Sequence, residues 1–212
     1  ELELKWALTA DEHARLRAHL TVTHGPARAL AQVNRFFDTA DRRLRAARMN
    51  LRIRNQNGRL ILTCKRHLEA SNTAHLTDGL SSHQEWETDL PAAHPKELAD
   101  LATSAHPSAT WTAALPLPEP IRTTLDGHPL HALGGFANHR DEWHLTRDGT
   151  EELLCLDRTE FATRTDYELE IETPDPTASA AHWRTIFATW DIPVVPQTLT
   201  KFARYLKLSP VL

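Results

Sequence analysis

The chain has 212 residues, with 24 Lys and Arg against 28 Asp and Glu and a formal net charge of -4 at neutral pH. That balance argues against a general nucleic-acid binder, which would carry a basic stripe. No apolar run has the length of a membrane span or the form of a signal-peptide core. Two cysteines are too few for a disulfide framework, so the expected setting is the cytoplasm.

In chain order, Glu1-Leu2-Glu3-Leu4-Lys5 alternates charge with leucine, a strand pattern that sends successive side chains to opposite faces. The chain starts directly on this strand, which is compatible with a short natural leader ahead of Glu1. Thr9 and Glu12 form a capping box that opens a helix through Leu16 and Leu20, to end before Gly25-Pro26. Leu51-Arg52-Ile53-Arg54 and Leu60-Ile61-Leu62-Thr63-Cys64-Lys65 read as strands joined at Asn57-Gly58, a two-residue hairpin signal. Residues 71–82 read as a loop. His83-Gln84-Glu85-Trp86-Glu87 alternates again, with Glu85 and Glu87 on one face. Pro95 suits the first turn of a short helix through Leu98 and Leu101. The prolines between Pro107 and Pro129 suggest a connecting segment. Arg140 begins a stretch through Trp143 and Leu145 that Asp148-Gly149 turns into a strand from Glu152 to Asp157. Cys64 and Cys155 are expected as buried small residues within strands. Glu168-Leu169-Glu170-Ile171-Glu172 mirrors the first segment. Trp183, Ile186, Phe187 and Trp190 share a helical face that packs on the sheet, and Pro193 and Pro196 end that helix.

Three glutamates on one strand face are unlike a solvated surface, because like charges repel and Glu is a poor strand former. Converging carboxylates suit a hard divalent cation, and something positive should sit opposite them. Many antiparallel strands with one apolar and one charged face make a poor sandwich core but a good lining for a closed, water-filled barrel. Crowding should also raise the pKa values of several of these glutamates. The 13 histidines show no zinc-site spacing and read mostly as surface residues. No glycine-rich phosphate loop is present, so any phosphate must be held by side-chain cations.

Glu1-x-Glu3-x-Lys5 resembles the signature of the CYTH domains, or triphosphate tunnel metalloenzymes. The resemblance continues in order through Phe37-Asp38-Thr39 with Leu44, Leu51-Arg52-Ile53-Arg54, Thr63-Cys64-Lys65, Glu85, Arg140 with Trp143, Leu156-Asp157, the Glu168–Glu172 strand, and Lys201 with Arg204. It implies an α+β fold: one domain over residues 1–212, an eight-stranded closed antiparallel β-barrel with flanking helices. It also implies a metal-dependent triphosphatase acting on a small-molecule triphosphate. Lys5, Arg52, Arg54, Lys65, Arg140, Lys201 and Arg204 would bind substrate. Glu1, Glu3, Asp157, Glu168, Glu170 and Glu172 would hold Mg2+ or Mn2+, with Glu85 and Glu87 as further lining. Lys5, Glu170 and Lys201 are the expected catalytic groups. Animal thiamine triphosphatases of this family carry a stacking tryptophan just before the Leu-Arg element, where this chain has Asn50, so inorganic tripolyphosphate is the expected substrate. Thiamine triphosphate hydrolysis, cyclisation of ATP as in class IV-type adenylate cyclases, and non-catalytic polyphosphate or nucleotide binding are the alternatives.

Overall fold

A computed structural model describes residues 2–68, 79–90 and 115–209 of the chain. Those residues form, in order, β1 (Leu2–Leu8), α1 (Ala10–His24), β2 (Arg28–Thr39), α2 (Arg43–Ala46), β3 (Met49–Gln56), β4 (Arg59–His67), β5 (Leu80–Asp89), α3 (Glu119–Leu125), β6 (Leu130–Arg147), β7 (Thr150–Glu160), β8 (Thr165–Glu172), α4 (Pro176–Thr189), β9 (Val195–Pro196) and α5 (Lys201–Leu208). The strand order is β5-β4-β3-β2-β6-β7-β8-β1-β9, and β5 also pairs with β1. Eight strands thus close on themselves, while β9 adds two residues beside Trp6 and Ala7. The pairs β1–β5, β1–β8, β2–β3, β3–β4, β4–β5, β6–β7 and β7–β8 are antiparallel. This is the α+β closed antiparallel barrel that the alternating pattern predicts.

The chain divides into two compact units, residues 1–31, 69–82 and 137–211 in the first and 32–68 with 83–136 in the second. In the first, the apolar faces of β1 (Leu4, Trp6), β7 (Leu154, Leu156) and β8 (Leu169, Ile171) pack against Leu16 and Leu20 of α1 and Trp183 and Phe187 of α4. Trp6 meets Phe187 edge-on, ring centroids 5.4 Å apart. Burying such side chains contributes roughly 1.5–3 kcal/mol each. In the second unit, Leu51, Ile53, Leu62 and Cys64 pack with Leu44 of α2 and with Ile121 and Leu125 of α3.

Local chemistry sets the joints. Thr9 accepts from the Glu12 amide at 3.2 Å and Glu12 returns the bond to the Thr9 amide at 2.7 Å, the predicted capping box. Asn57-Gly58 and Asp148-Gly149 all have positive φ, between 50° and 87°, as two-residue hairpin turns require. Gly79 has φ +78°, and a Cβ there would lie 2.2 Å from the Lys5 carbonyl oxygen. Its own carbonyl accepts the Lys5 amide at 3.0 Å, so glycine is what lets this backbone press against β1.

Three expectations change. The proposed loop through Ser82 is shorter: Leu80, Ser81 and Ser82 are strand, paired with Leu4, Glu3 and Leu2. The hydrogen-bonding edge of β1 gives these serines a ladder that their own side chains do not signal. The proline-rich connecting segment contains α3, with Pro118 as N-cap and Pro120 in the first turn. Proline opens this helix because the first-turn amides have no intrahelical partner to lose. The α4 face is as predicted, but the chain leaves the helix at Trp190, before Pro193. Glu1, residues 71–78, the helix at Pro95 with Leu98 and Leu101, and residues 107–114 lie outside the described residues.

Candidate active site

Strand alternation places Glu3 and Lys5 on one face of β1, and Glu168, Glu170 and Glu172 on one face of β8. Register then joins the strands. Lys5 stands opposite Glu170 and Glu3 opposite Glu172, Glu168 opposite Asp157 of β7, and Asp157 opposite Arg140 of β6. Lys201 and Arg204 arrive from α5, three residues apart on one helix face; Thr200 caps that helix by accepting from the Ala203 amide at 3.1 Å.

The side chains form one continuous network within the first unit. Lys5 Nζ lies 2.6 Å from Glu170 and 2.9 Å from Glu3. Arg140 makes a bidentate pair with Asp157, at 2.8 and 2.7 Å, and reaches Glu170 at 2.5 Å. Lys201 Nζ contacts Asp157 at 2.7 Å, Glu170 at 2.9 Å and also Glu168. Arg204 is only 3% exposed; it donates to Glu168 at 2.6 Å and to the Leu199 carbonyl at 3.1 Å, and its Nε lies 3.0 Å from Asp166. Glu172 is partly buried beside Glu3 in register.

The electrostatics follow from this mixing of signs. Burial alone would raise the Glu170 pKa, but Lys201, Lys5 and Arg140 hold it well below the ordinary carboxylate range. Asp157 is likewise buried and lowered, by Arg140 and Lys201. Burial works against the charged forms of Lys5, Arg140 and Lys201, yet the surrounding carboxylates raise all three. The expectation of raised glutamate pKa values is therefore reversed at Glu170. That expectation set the cations opposite the acidic wall, whereas Lys5 sits in that wall and α5 brings Lys201 onto it.

Carboxylate oxygens of Asp157, Glu168 and Glu170 all lie within 4.8 Å of one another. An all-oxygen anionic donor set of this size suits a hard divalent cation such as Mg2+ or Mn2+ rather than a soft metal.

A second charged cluster occupies β3, β4 and β5 in the other unit. Arg52 donates to Thr63 at 3.3 Å and lies 3.7 Å from Glu85; Arg54 lies 3.7 Å from Glu87. Lys65 is 2.5 Å from Glu85. Asn50 is half-buried and paired with Lys65 across the β3–β4 ladder.

The roles of several residues escaped the sequence reading. Asn138 donates to Asp157 at 2.9 Å while its oxygen accepts from Thr159 at 2.8 Å, all three side chains being buried. A polar residue two positions before Arg140 on the same strand face was the available signal. Asp38 is buried and accepts three backbone amides, from Thr39, Leu44 and Arg45, which fixes the turn into α2. His83 is 1% exposed, contrary to the surface reading given to most histidines, with Lys65, Glu85 and His67 packed beside it. Its place two residues before Glu85 on an alternating strand was the clue.

The chain is similar to several known proteins. A Bacillus subtilis protein named as a candidate triphosphatase, YjbK, is 26% identical over 176 residues, 82% of this chain and 78% of that one. The structure of HpAC1 from Hippeastrum, described as a candidate adenylyl cyclase with a dominant triphosphatase activity, matches with a TM-score of 0.79 and 26% identity. That match covers 98% of this chain and 95% of the other. A Bacillus halodurans structure described as a candidate adenylate cyclase matches at TM-score 0.63 and 22% identity, covering 96% and 95% of the two chains, and shares the fold. The CYTH domain model matches residues 1–204, from the first strand through Arg204, and this chain belongs to the CYTH domain family.

Proposed function

We propose that the protein is a metal-dependent triphosphatase that cleaves the terminal phosphoanhydride of inorganic tripolyphosphate and releases orthophosphate. The observation that carries this reading is the buried trio Asp157, Glu168 and Glu170, enclosed by Lys5, Arg140 and Lys201. A triphosphate carries roughly four negative charges at neutral pH. Buried ion pairs come close to break-even against desolvation. The pairs seen here can therefore be exchanged for cation–phosphate and carboxylate–metal pairs at little net cost, as a site that takes both must do. The name of YjbK and the activity described for HpAC1 support the same class of reaction.

In this reading Arg140 offers a bidentate fork to phosphate oxygens, while Lys5 and Lys201 neutralise charge on the transferred group and the leaving oxygen. Glu170, with its depressed pKa, is a weak base and suits ligation better than proton abstraction. Asp157, Glu168 and Glu170, with Glu3 and Glu172 alongside and Glu1 completing the proposed set, would hold Mg2+ or Mn2+, whose charge would polarise phosphate oxygens. Water attacks the terminal phosphorus, a new P–O bond forms as the bridging P–O bond breaks, and pyrophosphate departs while the water's proton is released. No protein nucleophile is required. Arg52, Arg54 and Lys65 are the further proposed phosphate contacts, with Glu85 and Glu87 as their counter-ions. Arg204 belongs to the substrate-binding set by resemblance, and its contacts suit it to holding Glu168. We take residues 1–212 as one domain, which the unbroken family match supports. Two buried free thiols are in keeping with the reducing cytoplasm.

Phosphate release from tripolyphosphate, thiamine triphosphate, ATP and pyrophosphate, with Mg2+ or Mn2+, tests the reading. Tripolyphosphate should turn over, and EDTA should abolish the reaction; metal-independent release, or cyclic AMP from ATP as the main product, would sink it. Asn50 puts no aromatic ring beside Lys65, so thiamine triphosphate should have no advantage in kcat/KM. Asn50→Trp should favour it selectively, by about 1–3 kcal/mol if a stacking surface is regained. A wild-type preference for thiamine triphosphate would contradict this.

A further inference from the structure

His83 lies on the charged face of β5 and is 1% exposed. Its Nε2 is 3.0 Å from Lys65 Nζ on β4 and 3.2 Å from Glu85 Oε2, and Lys65 Nζ is 2.5 Å from that same Glu85 oxygen. His67 faces it from β4, ring centroids 6.2 Å apart. A lysine ammonium can only donate, so a Lys65–His83 hydrogen bond requires Nε2 as the acceptor and the ring proton on Nδ1. The imidazole then cannot donate to Glu85. In that tautomer Nε2 and the Glu85 oxygen, 3.2 Å apart, both accept from the ammonium. Held by two neighbours, the Lys65 ammonium has less freedom to turn than one held by a single counter-ion. A lysine is ordinarily a mobile point charge on a flexible stem; here it becomes an aimed donor.

We infer that His83 is a positioning residue: as the neutral Nδ1–H tautomer it acts with Glu85 to aim the Lys65 ammonium at a phosphate group of the substrate. The identity of that anion rests on the triphosphatase reading; the tautomer and the Lys65 contact do not. Glu85 alone would leave the ammonium free to rotate about a single contact. The imidazole adds a second fixed point without adding charge, so Lys65 stays orientated and its positive charge is not cancelled twice.

Nitrogen-15 NMR of the imidazole in the metal-free protein tests the tautomer. Nε2 should be unprotonated and hydrogen-bonded, with a shift that moves in Lys65→Met; a protonated Nε2 overturns the inference. Calorimetric titration with tripolyphosphate in EDTA tests the aim without turnover. His83→Ala should weaken binding about tenfold, as loss of one charge-assisted hydrogen bond implies. His83→Gln, whose amide oxygen can accept, should recover most of it. In a Lys65→Ala background, His83→Ala should have no further effect. Equal weakening in both backgrounds, or no change in His83→Ala, overturns the inference, as does a wild type that does not bind tripolyphosphate. If wild type binds it but releases no phosphate with either metal, the hydrolase reading fails while the binding series still decides the role of His83.

Discussion

Glu170 touches Lys5, Arg140 and Lys201 at 2.6, 2.5 and 2.9 Å, so its charge is compensated three times over in a buried setting. Glu170→Gln would leave those cations short of a counter-ion. Removing one partner of a buried pair costs about 3–5 kcal/mol, and the metal-free variant should be destabilised by about 3 kcal/mol in urea at pH 7. Its turnover should fall at least about a hundredfold, as loss of a charge-stabilising group in a dry site does; unchanged turnover would remove Glu170 from the site. The pH dependence has a definite sign. A carboxyl group with a depressed folded pKa contributes stability above its unfolded value, near pH 4.3, and loses it as pH falls through the folded value. The gap between wild type and variant should thus be full at neutral pH and begin to narrow only below about pH 4, as pH falls toward the depressed folded value. A gap that widens in acid would mean that Glu170 is raised, not lowered.

The same alternation that puts Asp157 and Cys155 on the charged face of β7 puts Glu152 on the other, among Leu154 and Leu156. There it accepts from Trp183 Nε1 at 3.0 Å and from Arg147 at 2.7 Å, fastening α4 to the strand. Burial opposes its charge, yet the bonds from Arg147 and Trp183 keep its pKa lowered. Glu152→Ala should destabilise the protein by about 3 kcal/mol through the unpaired indole N–H and guanidinium. It should shift the tryptophan fluorescence and leave kcat/KM for tripolyphosphate intact in the folded fraction. Loss of activity without loss of stability would contradict the assignment of the two faces. At this scale the sequence was informative where period and turn chemistry agreed, as at Thr9 with Glu12 and at both X-Gly hairpins. It was silent at α5, where the short run Lys201–Leu208 is defined by its Thr200 cap and by what Lys201 and Arg204 reach across the fold.

For the whole molecule, the proposed function has metal and substrate exchange with internal ion pairs. Mg2+ that binds only the folded chain should add about 2.7 kcal/mol at a hundred times its Kd, seen as a rise in Tm. Glu170→Gln should gain markedly less, and tripolyphosphate should add to the Mg2+ effect in wild type. Equal Mg2+ shifts in both proteins would mean that the carboxylates are not the binding site. Among the described residues, no helix is long and apolar enough to cross a membrane.

The sequence by itself determined the strand faces, the two hairpin turns and the sign of the charge at each position along β1, β3, β4, β7 and β8. These follow from a period of two and from local turn geometry, which need no distant partner. Tertiary structure decided which charges meet. Lys5 falls opposite Glu170 only through the β1–β8 register, across 165 positions of chain, and Lys201 joins them only because α5 docks there. The direction of the Glu170 pKa shift depended on that meeting, since a carboxylate's ionisation answers to whichever charges lie within a few ångströms and not to its neighbours in sequence. The roles of Asn138, Asp38 and His83 were hidden for the same reason: each is defined by the atoms packed around it.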